Sequence, residues 1–309
     1  MGLVTKRYLR DLVCRYDKEA GVPYYTRSDF KGLHEESYIF TNSKGTEIHY
    51  FYYYYDKYKE DKILLFCPGI GSGHTGYFAE INCLAKRGYK ILTLDYTGCG
   101  DSKGENLASL NMPTLDVMDL LSHIKIDKPL IVVGHSLGSY TSLNISNIRN
   151  DVIKTVSISP FLSIKSIIYS STHSNFVTSR VLKYEKKVLP EYYSLDNIEY
   201  LKNTNNPIFV IQSDDDPVIP YSISLKVVEE INNPSIKTLR VSNRKHNPNY
   251  TEAAVKYMNE TFTKFRRLIK DKKIVTDEDK VNYFKDISLD RLTEQDEKMF
   301  DEIVEFIEK

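Results

Sequence analysis

From its start, the chain sets Leu3, Val4, Tyr8, Leu9, Leu12, Val13 and Tyr16 on one stripe of a helix, and Gly21 and Pro23 end that pattern. Between Ser37 and Tyr55 two β-rich runs flank the cluster Asn42-Ser43-Lys44-Gly45, which predicts a hairpin with the tyrosine run 52–55 as strand surface. Beyond it, short buried-strand runs at 63–67, 91–95, 130–133, 152–159, 207–212 and 236–241 alternate with helical stretches at 75–87, 137–149, 221–231 and 250–269. Strands that are apolar on both faces and interleaved with helices predict an α/β fold, with a mostly parallel central sheet and helices on both faces. Ligands then bind at the carboxyl ends of the strands. The stretch 161–206 is too long for a plain connection and predicts a short helical cap. A final helix is expected from the capping box Thr293-Glu294-Gln295-Asp296, with Met299, Phe300, Ile303, Val304 and Ile307 on one face. That face is expected to pack on the parent domain, with a homo-oligomer contact through the terminal helices as the alternative.

Composition narrows the class. Among 309 residues, 42 Lys plus Arg balance 42 Asp plus Glu, so no net basic charge invites nucleic acid. With 41% hydrophobic residues the chain reads as globular. Residues 271–309 hold 13 acidic and 7 basic side chains, a local charge of −6. The division expected is an N-terminal helical extension (1–35), a central α/β domain (36–270) carrying the cap insertion (161–206), and an acidic C-terminal helical extension (271–309). Cys14, Cys67, Cys83 and Cys99 form no CxxC pair, and the start MGLVTKRYLR has no secretory apolar stretch, so reduced thiols and a cytoplasmic location are expected. Lys6 stands where a myristoylation signal wants Ser or Thr, and no run is long enough to insert stably in a membrane.

Two segments read G-x-S-x-G. Gly134-His135-Ser136-Leu137-Gly138 follows a buried strand and opens a helix, the setting of a nucleophile elbow, whereas Gly100-Asp101-Ser102-Lys103-Gly104 lies in a polar glycine-rich stretch and reads as a loop. At such an elbow Ser136 stands exposed, and the N–H of Leu137 at the helix start points toward an oxyanion on the attacked carbonyl. A neutral hydroxyl needs a general base and a group that orients it. After the strand at 207–212, Asp214, Asp215 and Asp216 compete as that orienting acid.

Three segments resemble one family. Ser213-Asp214-Asp215-Asp216-Pro217-Val218-Ile219-Pro220 is similar to the acid loop of α/β-hydrolases, Cys67-Pro68-Gly69-Ile70-Gly71 to their oxyanion-hole loop, and Asp95-Tyr96-Thr97-Gly98-Cys99-Gly100-Asp101-Ser102 to the loop after the next strand. Together they cover roughly residues 48–265, and the likeness is to serine-aminopeptidase-type and monoglyceride-lipase-type, lysophospholipase-like hydrolases. The resemblance implies the α/β-hydrolase fold and registers Asp216 as the acid, with Ile70 N–H as second oxyanion donor. It also implies the chain order Ser, acid, His, and His246 alone among seven histidines lies beyond residue 173. The reaction implied is cleavage of a carboxylic ester or thioester, acylglycerol-like, lysophospholipid-like or small, through an acyl-enzyme, with no metal or cofactor. Ile164, Ile167, Ile168, Tyr169 and Phe176 are candidates to line an acyl pocket. A serine peptidase is the near alternative, with Glu185, Glu191 or Glu199 as anchors for a substrate amino group.

A competing pattern is Gly71-Ser72-Gly73-His74-Thr75-Gly76 with Asp95 beyond it, which matches the dinucleotide fingerprint of an NAD(P)-dependent oxidoreductase. That reading leaves Ser136, Asp216 and His246 without a role. A non-catalytic binding module is a third reading, and it has no use for an activated serine.

Overall fold

The computed structural model describes residues 2–15, 21–71 and 73–309, so Tyr16 of the first stripe and Ser72 of the glycine loop lie outside the described residues. In chain order the elements are α1 (Leu3–Asp11), the hairpin β1 (His34–Thr41) and β2 (Glu47–Tyr54), β3 (Ile63–Cys67), α2 (Phe78–Lys86) and β4 (Ile91–Leu94). They continue with α3 (Met112–Ile124), β5 (Leu130–His135), α4 (Leu137–Ile148) and β6 (Val152–Ile158). The cap follows as α5 (Ile164–Thr172), α6 (Asn175–Val188), α7 (Pro190–Tyr193) and α8 (Asn197–Asn203). The chain then forms β7 (Ile208–Ser213), α9 (Leu225–Ile231), β8 (Ile236–Val241), α10 (Glu252–Lys270), α11 (Asp277–Phe284), α12 (Leu289–Leu292) and α13 (Glu297–Glu308).

Among the described residues eight strands make one sheet in the order β1-β2-β4-β3-β5-β6-β7-β8. β1, β2 and β4 pair antiparallel, and every pair from β4 to β8 is parallel. Alternation along each central strand feeds two cores. Leu65, Cys67, Leu92 and Val132 pack against α3, α4 and the cap, while Leu64, Phe66, Ile91 and Val133 pack against α2 and α13. On the second face α13 buries Met299, Phe300, Ile303 and Ile307, each worth roughly 1.5–3 kcal/mol. The C-terminal apolar face is thus covered by its own chain.

Several boundaries differ from the sequence expectation. α1 stops at Asp11 because Val13 and Cys14 leave the helix to meet residues 106–107: Cys14 bridges Asn106, and Leu107 N–H donates to Val13 O (2.9 Å). α3 was not expected, yet it buries Leu115, Val117, Leu120 and Leu121, and Pro113 in its first turn fits where an N–H has no helical partner anyway. α13 begins at Glu297 rather than at Thr293. Asp296 caps it, accepting from Lys298 N (3.1 Å) and Met299 N (3.3 Å). Thr293 closes α12, its N–H donating to Leu289 O (3.1 Å), and residues 294–296 stay outside the helix because Gln295 bridges Tyr250 and Asp296 N–H donates to Asn249 O (2.8 Å).

Candidate active site

The loops at the carboxyl ends of β3, β5, β7 and β8 converge. At the end of β5, Ser136 adopts φ 56° and ψ −119°, backbone angles that only a tight surrounding fold holds in place. Flanking glycines make that turn fit: a Cβ on Gly134 would overlap the carbonyl of Gly138, and one on Gly138 would overlap the carbonyls of Cys67 and Pro68 at the end of β3. Ser136 N–H donates to Ile158 O (2.9 Å), which pins the turn to β6. Its hydroxyl faces the imidazole of His246, with Oγ 2.9 Å from Nε2.

His246 sits in the loop after β8, and its Nδ1 lies 2.8 Å from Asp216 Oδ2. The geometry separates the three consecutive carboxylates. Asp216 is buried, and its Oδ1 accepts the N–H groups of Val218 (2.8 Å) and Ile219 (3.0 Å), which leaves Oδ2 aimed at the ring. Asp214 instead accepts from Arg240 Nε (3.1 Å) and Ser242 Oγ (2.8 Å), and Asp215 from Lys245 N (3.0 Å) and Nζ (2.9 Å). Leu137 N is the first amide of α4, and Gly69, next to Ile70, packs against Ser136 so closely that its Cβ would stand 3.3 Å from the serine Cβ. Neither Ile70 N nor Leu137 N donates to a backbone carbonyl among the described residues outside regular helix and strand pairing.

Sequence reasoning passed over the groups behind the histidine. His135 Nε2–H donates to the carbonyl of His246 (2.8 Å), and Tyr77 Oη–H donates to His135 Nδ1 (3.0 Å). Burial, with the nearby His246 ring, pulls the His135 imidazole down to about 3, so it is neutral at ordinary pH and keeps this donor and acceptor pattern. Ser159 Oγ–H also donates to His246 O (3.2 Å). The one signal for His135 was its place as the variable residue of G-x-S-x-G.

The loop carrying His246 is braced from the chain's far end. Thr251 N–H donates to Glu294 O (2.9 Å), Asp296 N–H to Asn249 O (2.8 Å), and the Arg244 guanidinium reaches both Tyr250 O and Asp296 Oδ2, the latter at 3.0 Å. Asn249 Nδ2 donates to Gln295 Oε1 (2.8 Å) and to Glu80 Oε1 (3.1 Å). Burial pushes the Glu80 carboxyl up to about 7.

The other sequence candidates fall elsewhere. Ile164, Ile167 and Ile168 are buried on the inner side of α5, within the cap, as part of the core, whereas Tyr169 (45% exposed) and Phe176 (62% exposed) face outward, Phe176 because it lies on α6 opposite the buried Thr178, Val181 and Glu185. Glu185 is consumed internally, accepting from Tyr8 Oη (2.6 Å), Ser109 Oγ (2.6 Å) and Leu110 N (3.3 Å). Ser102 is buried, accepting from His49 N (2.9 Å) and donating to Asp95 O (2.6 Å). Asp95, the ribose acid of the dinucleotide reading, is fully buried and holds His74 N (2.7 Å), His74 Nδ1 (2.9 Å) and Asp101 N (2.8 Å). No ribose can reach it, and this removes the footing of the oxidoreductase alternative. His74, Asp95 and Asp101 are also, among the described residues, a group with metal-ligand atoms within 4.8 Å of one another, but Asp95 already serves those three N–H donors.

A family model described as serine aminopeptidase, S33, matches residues 58–248. The chain belongs to the serine aminopeptidase S33 family. This membership and the sheet place it in the α/β-hydrolase superfamily. Lysophosphatidylserine lipase ABHD12 of Mus musculus is 25% identical over 154 residues, covering 47% of this chain and 38% of that protein. An epoxide hydrolase of Caballeronia sordidicola is 32% identical over 96 residues, 30% of this chain and 29% of its own. The chain thus matches well under half the length of these curated relatives. In fold it is similar to the Pyrococcus furiosus esterase Pf2001, with TM-score 0.56 and 16% identity over 83% of this chain and 96% of that one. It is also similar to α/β hydrolase domain-containing protein 10 from mouse, with TM-score 0.51 and 20% identity over 76% and 99% of the respective chains.

Proposed function

We propose that the chain is a serine hydrolase that cleaves a carboxylic ester or thioester through Ser136, His246 and Asp216. The observation that carries the reading is the continuous relay Oγ to Nε2 at 2.9 Å and Nδ1 to Oδ2 at 2.8 Å, built on a serine with positive φ. As Ser136 Oγ bonds to the substrate carbonyl carbon, its proton passes to His246 Nε2 and the carbonyl electrons move onto oxygen. The N–H groups of Leu137 and Ile70 receive that oxyanion, each such donor contributing on the order of a hundred-fold or more in rate. Collapse breaks the bond to the leaving oxygen or sulfur, which takes the proton from His246. Water then repeats the sequence on the acyl-Ser136. Asp216 fixes the tautomer and steadies the imidazolium, and neutral His135 holds the carbonyl of the same residue.

Ester is favoured over peptide because Glu185 is spent on Tyr8 and Ser109, while Glu191 pairs with Lys44 (3.5 Å) and Glu199 with Asn203 (2.7 Å). The likeness to a lysophosphatidylserine lipase makes lysophospholipid esters the first substrates to try. The test is intact-mass analysis after a fluorophosphonate probe, with Ser136→Ala alongside and a panel of esters of increasing acyl length. One adduct mapping to Ser136 and missing from the variant is the expected result. Folded protein that takes no adduct would overturn the proposal.

A further inference from the structure

The outer face of the cap carries a charge pattern that the chemistry at Ser136 does not use. On α6, Phe176, Arg180, Lys183 and Lys187 recur at spacings of four, three and four, so they share one stripe, and all are exposed. The Arg180 guanidinium lies over the Phe176 ring at 5.2 Å. α1 packs beside α6 through Tyr8, whose ring meets that of Tyr184 edge-on at 6.1 Å and whose hydroxyl binds Glu185. Its own outward stripe repeats the theme: Leu3, 85% exposed, followed by exposed Lys6, Arg7 and Arg10. α5 adds exposed Lys165 and Tyr169, one turn apart.

Charge on this face is one-sided. Counting Lys186 as well, three exposed cations on α1, one on α5 and four on α6 make eight. The acids on the three helices are Asp11, which Arg7 (3.2 Å) and Arg10 (2.6 Å) hold, and Glu185, which is buried. Across the whole sequence the charges cancel, so this excess is local. Between α1 and the cap runs a groove of about 550 Å³, with Leu3, Val4, Ile168, Val177 and Val181 among its walls. Apolar side chains standing among cations on adjoining helices are what an interfacial surface needs: the cations meet phosphate and carboxylate headgroups while the apolar groups enter the acyl boundary.

We infer that the outer face of α1, α5 and α6 docks on an anionic phospholipid bilayer. Among the described residues no helix is long and apolar enough to cross a membrane, so the contact is peripheral. α5 also touches the turn Tyr221–Ile223, which follows the Asp216 loop, so the docking face lies one helix away from the proposed site. Lipid esters would then be presented beside it. The inference itself does not rest on the hydrolytic reading, since binding is scored without turnover.

The experiment is co-sedimentation of the full chain with vesicles of phosphatidylcholine alone or of phosphatidylcholine with phosphatidylserine. The expected result is binding to the anionic vesicles only, lost at about 0.5 M NaCl, where the screening length is roughly 4 Å. Reversing charge together at Arg180→Glu, Lys183→Glu and Lys187→Glu should weaken binding by at least ten-fold, since each such cation contributes roughly five-fold near a charged membrane. The melting temperature and the hydrolysis of a soluble short-chain ester should not change in that variant. Phe176→Ser should weaken binding several-fold through lost apolar insertion. Failure to bind anionic vesicles, equal binding to neutral ones, or full binding by the triple variant would overturn the inference. A dimer in solution that the triple variant disperses would also overturn it, by assigning the face to a second copy of the chain. The comparison of lipids and salts uses unaltered protein, so the test survives a variant that misfolds.

Discussion

Gly134–Gly138 and Gly100–Gly104 carry the same five-residue pattern and have opposite fates. Both lie after strands at the same end of the sheet, and both need glycine for close approach, since a Cβ on Gly100 would overlap the Asp95 carboxylate much as one on Gly138 would overlap the β3 carbonyls. The serines differ in what is left for them to do. Ser102 Oγ donates to one backbone carbonyl and accepts from one backbone amide, and Arg15 grips the surrounding carbonyls of Gly100, Ser102 and Gly104. Ser136 Oγ has an imidazole as its neighbour, and its backbone is held at φ 56° by a helix that begins at once. A hydroxyl saturated by the main chain is a fastener. One that shares its proton with a ring that can accept it is available for chemistry.

The largest expected effect breaks this contrast directly. Ser136→Ala should lower turnover about a million-fold with the fold intact, if the three side chains act as a unit. Ser102→Ala should leave turnover within a few-fold; ester hydrolysis and thermal melting of both variants decide the matter, and the reverse outcome would falsify the assignment of Ser136. Next, Asp216→Asn should cost on the order of 10⁴-fold in kcat by favouring the wrong histidine tautomer. Asp214→Asn and Asp215→Asn, whose carboxylates face Arg240 and Lys245, should cost less than ten-fold.

Smaller effects concern stability. The Glu80 carboxyl is raised to about 7 by burial, so its protonated form is the one the fold prefers. Its contribution is present below the unfolded value near 4.5 and is lost as pH rises through about 7. Asp116, also raised by burial to about 6, adds a loss of its own in this window, so melting curves from pH 4 to 8 should show a combined loss, of which Glu80→Gln should remove on the order of 3 kcal/mol. An unchanged pH profile in the variant would rule Glu80 out as the source. Smallest, Ser102→Ala should destabilise by roughly 1–3 kcal/mol, because His49 N–H and Asp95 O lose their partner in a buried setting. Denaturant midpoints would show it.

Much of the sheet was legible because β3, β5 and β7 are buried on nearly every position, which leaves an uninterrupted apolar run in the sequence. Ser136 could be located because it follows such a run, whereas β8 before His246 is half exposed, and His246 was found through the chain order of the family it resembles. What stayed hidden depends on partners far along the chain. Val13 belongs to the helical stripe by spacing, yet it accepts a backbone hydrogen bond from Leu107. Thr293 satisfies a capping pattern, but pairing of Gln295 with Tyr250 keeps that turn from forming. By side-chain chemistry the three aspartates are alike, and only the family resemblance pointed to Asp216; in the fold Arg240, Lys245 and two backbone amides sort them. His135 looks like a spacer inside a motif, and its role arises from a carbonyl 111 residues away.

The brace on the histidine loop has a consequence for how the molecule is made. Glu80, Arg244, Asn249 and residues 294–296 must all be in place before His246 is held from behind, and these come from the early middle and the far end of the chain. Contacts of such long sequence separation form slowly, because the intervening chain must first be ordered. The sheet can therefore close, and protect its amides from exchange, before the loop of His246 is held. On the proposed reading, recovery of ester hydrolysis during refolding would then act as a clock for the last docking event rather than for collapse.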